Sequence, residues 1–181
     1  MDDSEWSRWM DVALDLARRA GREGEVPIGA VVVRQGELLG EGFNRTEQLI
    51  DPVAHAEIAA LRRAAARTGN WRLTGAALIT TLEPCVMCFG ALLEARIGTL
   101  VVGAGDSRRG ATPLWKSGHL SSYPARPLKL IEGVLEGRCQ ALLKEWFAQR
   151  RAEASGPEAF GPEQFGSLGA GLPENQRPRS D

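Results

Sequence analysis

Apolar residues along the chain recur with two different periods. Over residues 4–22, Trp6, Trp9, Met10, Ala13, Leu14, Ala17 and Ala20 fall at helical spacing, and Arg18, Arg19 and Arg22 gather near the end, as a helix C-terminus favours. The stretch "VPIGAVVVRQGELLGEGFN" instead reads as two strands joined at Gln35-Gly36. Asp51-Pro52 predicts a helix start, with Asp as cap and Pro in the first turn, running to about Arg67 before Thr68-Gly69-Asn70. "AALITTL" predicts a short buried strand, Pro84 opens a helix to about Ala95, and "GTLVVGA" predicts another strand. Residues 104–127 read as a long loop, "PLKLIEGVL" holds a fifth strand, and residues 137–152 form a final helix. No internal repeat is visible. Strands alternating with helices imply a three-layer α/β/α domain, and the hairpin at its start makes the five-stranded sheet mixed.

Composition narrows this picture. A chain of 181 residues, 43% of them apolar, fits one domain with a tail. The expected domain is 1–152, with 153–181 a Gly/Pro/Ser-rich disordered tail. No apolar run approaches the ~20 residues needed to cross a bilayer, and "MDDSEWSRWM" lacks an apolar signal region, so a cytoplasmic protein with no membrane partner is expected. From Glu153 onward there are five acids and two arginines, which leaves the preceding part with 20 basic and 18 acidic residues. Any nucleic-acid surface must therefore be a local patch.

The chemistry concentrates in two motifs. "VAHAEIAALRRA" contains one of two histidines, and "TTLEPCVMCFGALLEARIG" contains two of three cysteines. Cys85 and Cys88, three apart at a helix start, can pinch one ion, and helix N-termini favour thiolates. With His55 they offer two sulfurs and an imidazole, a donor set for tetrahedral zinc with the fourth position left to water. Glu57, beside such an ion, can carry the proton of that water. On a regular helix, however, residues two apart point about 200° from each other, so His55 and Glu57 converge only if the metal lies off the helix end. Cys139 reads as a small core residue and His119 as solvated surface, so neither completes a closed site. His-Ala-Glu followed about thirty residues later by Pro-Cys-x-x-Cys is the pattern of zinc nucleobase deaminases.

At these motifs the chain resembles the cytidine-deaminase-like superfamily, and within it the bacterial tRNA-specific adenosine deaminases. "VPIGAVVV", "GFNR", "DPVAHAEIAALRRA", "WRLTGAALITTLEPCVMCFGAL" and "ARIGTLVVGA" carry the similarity, which spans about Trp6 to Arg151. The resemblance implies one zinc ion held by His55, Cys85 and Cys88, with Glu57 as general acid/base. It implies a homodimer that converts the wobble adenosine of an arginine tRNA to inosine, with the anticodon loop as partner. Asn44 matches the asparagine that hydrogen-bonds the target base, and Asp106 matches an acid of the substrate-side loop. Phe147, Arg150 and Arg151 match an aromatic-plus-basic final helix that touches the anticodon loop, where rings stack on bases and arginines pair with phosphates. Trp146 fits either that surface or packing on the sheet.

The departures from the family lie in "GAGDSRRGATPLWKSGHLSSYPARP". Pro113-Leu114-Trp115 stands where a Gly-Ser-Leu element is typical, Ala125-Arg126 replaces an Asn-His pair, and earlier Thr46 replaces a common proline. Arg108, Arg109, Lys116, Arg126 and Lys129 offer either a phosphate-facing patch or an ordinary solvated loop. Two alternatives remain open: a deaminase of a free base or nucleoside of guanine or cytosine type, and a zinc-stabilised binding module without catalysis.

Overall fold

The structure, a computed structural model, describes residues 2–119 and 127–154. The chain divides into two compact units, Met1–Phe147 and Ala148–Asp181. The expected disordered tail therefore falls almost wholly outside the described residues, as do Ala125 and Arg126.

In the first unit, α1 (Asp3–Arg22) leads into β1 (Gly29–Arg34) and β2 (Glu37–Phe43). Next come α2 (Thr46–Leu49), α3 (Ala56–Thr68), β3 (Ala77–Leu82), α4 (Val86–Glu94) and β4 (Thr99–Ala104). α5 (Thr112–Lys116), β5 (Lys129–Ile131) and α6 (Glu136–Ala154) follow, α6 crossing the boundary between the units. The five strands stand in the order β2-β1-β3-β4-β5. β1 is antiparallel to both β2 and β3, whereas β3, β4 and β5 are parallel, so the sheet is mixed as expected.

Alternation along the strands sorts two cores. Ala30, Val32, Leu78 and Leu100 face Ala60, Leu61, Phe89 and Leu92 of α3 and α4. Val31, Val33, Ile79 and Val101 face Trp6, Met10 and Leu14 of α1 and Cys139 of α6. Both faces of the sheet are thus covered, which is why its central strands read as unbroken apolar runs.

One layer contact depends on small residues. A Cβ on Gly42 would run into Ala56 O and lie 2.7 Å from Ala60 N, and one on Gly40 would collide with Ala60 O. Two glycines two apart on β2 therefore let the backbone of α3, lined by Ala56, Ala60 and Ala64, lie directly on the strand.

Two expectations need correction. Asp51 does not cap the helix: its Oδ1 accepts from Val53 N at 2.9 Å, closing a local turn, and α3 begins only at Ala56 with His55 as N-cap. Residues 104–127 are not all loop, since Thr112–Lys116 form α5, whose Trp115 ring stands 5.9 Å from that of Phe89 on α4. The final helix is one or two residues longer at each end than expected.

Candidate metal centre

The site lies where two helices begin and the parallel strands end. β3 runs out at Leu82, and Glu83-Pro84 carries the chain to Cys85, the N-cap of α4. His55 occupies the same position on α3, with extended backbone angles (φ −76°, ψ 154°). It stands outside the helix, so the 200° separation from Glu57 does not apply. The metal locus lies off both helix ends, and Glu57, in the first turn of α3, turns toward it.

The ligand atoms are already gathered. His55 Nδ1 lies 3.7 Å from Cys85 Sγ and 3.4 Å from Cys88 Sγ, and all three donor atoms fall within 4.8 Å of one another. Tetrahedral zinc, with its usual bond lengths to sulfur and imidazole nitrogen, demands a sulfur–nitrogen edge of about 3.6 Å. The donor set and its spacing therefore fit zinc. Among the described residues no fourth His, Cys, Asp or Glu joins this cluster. Cys139 is buried on the far face of the sheet, packed under Gly103, and burial pushes its thiol up to about 11. His119 is exposed and shares a 2.6 Å hydrogen bond with Ser117 Oγ.

The electrostatics match a shared-proton cluster. The Cys88 thiol and the His55 ring, both hydrogen-bonded to Cys85, pull that sulfur down to about 3. Cys88 is pushed the other way by the Cys85 contact and by burial, and the Cys85 sulfur raises His55. A divalent cation competes with those protons for the same atoms. Glu57 is 4% exposed, and its burial raises its carboxyl above the usual range, while its own backbone N–H, His55 and the Cys88 thiol favour the charged form. A carboxyl held between these influences suits proton transfer.

Backbone pairing lays Asn44 toward the approach to His55, and a hydrogen bond from Asp106 N to the Glu83 carboxylate holds Asp106 beside the turn that carries Cys85. Arg45 N donates to Ala54 O at 3.0 Å, which lays the segment after β2 beside the approach to His55. Asn44 is buried there, its amide donating to Thr46 Oγ1 at 3.3 Å. Asp106 follows β4, and its Oδ1 accepts from Arg108 N (2.9 Å) and Arg109 N (3.2 Å). The positive charge of Arg109 is felt at His55. Lys116 is engaged with Glu132 at 2.6 Å, and Lys129 is exposed at the start of β5. Phe147 is 44% exposed and meets Trp146 edge-on at 5.0 Å. Trp146 itself lies over Gly21 of α1, so it packs within the first unit. Arg150 and Arg151 belong to the second unit, where Arg150 contacts Glu153 at 3.4 Å.

Sequence reasoning missed two buried carboxylates. Glu25, fully buried, accepts from Gln48 N at 2.8 Å and from Thr46 Oγ1 at 3.3 Å, fixing α2. Glu83, 9% exposed, accepts from Asp106 N at 2.8 Å, Thr112 N at 2.9 Å and Thr112 Oγ1. The one available signal was an acid set inside an otherwise apolar or turn-forming run.

A mixed sheet between helix layers, with two thiols and an imidazole gathered at the helix starts, defines a zinc-dependent deaminase. Residues 3–104 match the family model described as the cytidine and deoxycytidylate deaminase zinc-binding region, and the chain belongs to that family. It is 42% identical over 148 residues to the tRNA-specific adenosine deaminase of Haemophilus influenzae, covering 81% of this chain and 85% of that one. A solved structure from a study of A-to-I editing by tRNA:A34 deaminases at the wobble position of transfer RNA matches with a TM-score of 0.70 and 41% identity, covering 75% of this chain and 99% of that one. A guanine deaminase from Nitrosomonas europaea matches with a TM-score of 0.67 and 28% identity, over 78% of this chain and 84% of that one.

Proposed function

We propose that the protein hydrolytically deaminates adenosine to inosine at the wobble position of tRNA. The observation that carries this reading is the three-ligand cluster with the buried Glu57 beside it, in a chain about 40% identical to tRNA-specific adenosine deaminases over most of its length. His55, Cys85 and Cys88 would hold zinc. When bound, zinc supplies the Lewis acidity that makes water a nucleophile near neutral pH.

The remaining work belongs to the chain. Glu57 accepts the proton of the attacking water. It delivers that proton to the ring nitrogen beside the reacting carbon. It then takes the second proton from the hydroxyl now on that carbon and gives it to the amine, so that the C–N bond breaks, ammonia leaves and the carbonyl of inosine forms. Asn44 hydrogen-bonds the target base, and Asp106 orders the turn that presents Arg108 and Arg109 to the RNA. An anticodon loop already presents unpaired bases, so extruding the target adenosine costs little. Phe147, Arg150 and Arg151 extend the contact through stacking and phosphate pairing.

The protein acts as a homodimer in the cytoplasm in this reading. The apolar Val86 on α4 (55% exposed) and Leu114 on α5 (38% exposed) are candidates for a covered face. Among the described residues no helix is long and apolar enough to cross a membrane.

A second reading, deamination of a free base, draws on the likeness to the guanine deaminase and on the altered 112–116 segment. Zinc-loaded protein offered an arginine-tRNA anticodon stem-loop and, separately, guanine, cytosine and their nucleosides discriminates the two. Inosine in the RNA with the free bases intact supports the tRNA reading, and the reverse supports the second.

A further inference from the structure

Glu83 sits between the end of β3 and the turn that delivers Cys85. Its carboxylate is buried, and it accepts from neutral donors of the 105–112 loop. Oε2 accepts from Asp106 N, while Oε1 accepts from Thr112 N and Thr112 Oγ1. Thr112 begins α5, and Ala111 at its cap position has no side-chain acceptor, so a carboxylate from another element serves an N–H that helix starts leave unpaired. The same loop is stitched to the same turn by backbone: Ala111 N donates to Pro84 O at 3.0 Å, and Gly110 bridges Cys85. Gly110 is the floor of the carboxylate's pocket, because a Cβ there would collide with the carboxyl carbon and both oxygens of Glu83.

We propose that Glu83 is a positioning residue that clamps the 105–112 loop, with Asp106 and Arg108, against the turn carrying Cys85, and thereby sets affinity for the RNA. This rests on the reading above that the loop meets the substrate. Loosening the loop would strip a buried carboxylate of its donors, which is costly, so the loop is held in one arrangement before substrate arrives. The hydrogen bonds of the Glu83 carboxylate go to Asp106 and Thr112 of the loop, so in this proposal it acts through the loop. Its loss weakens binding of ground state and transition state alike, which raises KM and spares kcat.

The test compares wild type, Glu83→Gln, Glu83→Ala, Gly110→Ala and the Glu83→Ala/Gly110→Ala pair, with an anticodon stem-loop RNA as substrate. Glu83→Gln keeps the size but turns an NH2 toward an N–H donor. The clamp predicts one zinc per chain in every variant, KM raised about tenfold and kcat within about twofold. Amide exchange at Asp106 and Thr112 should speed at least about tenfold as their acceptor is lost. Gly110→Ala should reproduce this split alone and add nothing to Glu83→Ala, since both act on one contact. Unchanged exchange at Asp106 and Thr112, additive Gly110→Ala and Glu83→Ala effects, or a loss of zinc with kcat would each overturn the proposal. If wild type leaves the RNA untouched, the functional reading fails, while the exchange measurement still decides the clamp.

Discussion

At the scale of single residues, Glu57 carries the largest consequence. It is buried beside a thiol and an imidazole, and its carboxyl is held above the ordinary range by that burial. A carboxyl so placed with no chemical task would be a poor choice over a packed apolar residue. Glu57→Gln should leave zinc at one per chain by metal analysis and lower single-turnover deamination by about 10³-fold. Activity within tenfold of wild type would remove Glu57 from the mechanism. The three candidate ligands were legible in the sequence because His, Cys and Cys at these spacings have few other uses, and Glu57, a common helix residue by itself, stood out only beside them. Glu83 and Glu25 were not legible. Their partners lie 21 to 29 residues away, and nothing local distinguishes a carboxylate that will be capped by distant N–H groups from one that will face water.

At the scale of elements, the site depends on how closely α3 approaches the sheet. His55 caps α3, so its position follows from where that helix lies. Gly42 permits the approach, and Gly42→Ala drives a Cβ into helix backbone that cannot rotate away. The expected result is a loss of roughly 3 kcal/mol in denaturant unfolding together with weaker zinc retention. Gly137→Ala in α6, where an added Cβ meets nothing within 4 Å, should instead raise stability by about 1 kcal/mol. Equal effects from the two substitutions would mean that close strand–helix packing does not set the site. Most elements followed from periodicity, since α1 and the β1–β2 hairpin are long and sharply patterned. The start of α3 did not. Asp51 has a capping residue's chemistry, but its carboxylate closes a turn on Val53, and the chain spends four further residues placing His55 outside the helix. α5 was missed for the complementary reason: its cap comes from Glu83, not from its own sequence.

At the scale of the whole molecule, the layers and strand order agree with the three-layer mixed sheet expected from alternating elements. The assembly state is a separate matter. If Val86 and Leu114 lie under a partner, sedimentation should give twice the 19.6 kDa chain mass, and Val86→Glu should shift it toward the monomer. A monomer at micromolar concentration would contradict the dimer and leave the metal chemistry intact.

The central claim is that the cluster of His55, Cys85 and Cys88, with Glu57 beside it, acts on adenosine in tRNA. The most direct measurement is sequencing of an arginine-tRNA anticodon stem-loop after incubation with zinc-loaded protein, reading inosine at each adenosine. The account predicts inosine at the wobble adenosine alone, abolished when the metal is stripped and restored by zinc. An RNA that stays unmodified while guanine or cytosine is consumed would contradict it.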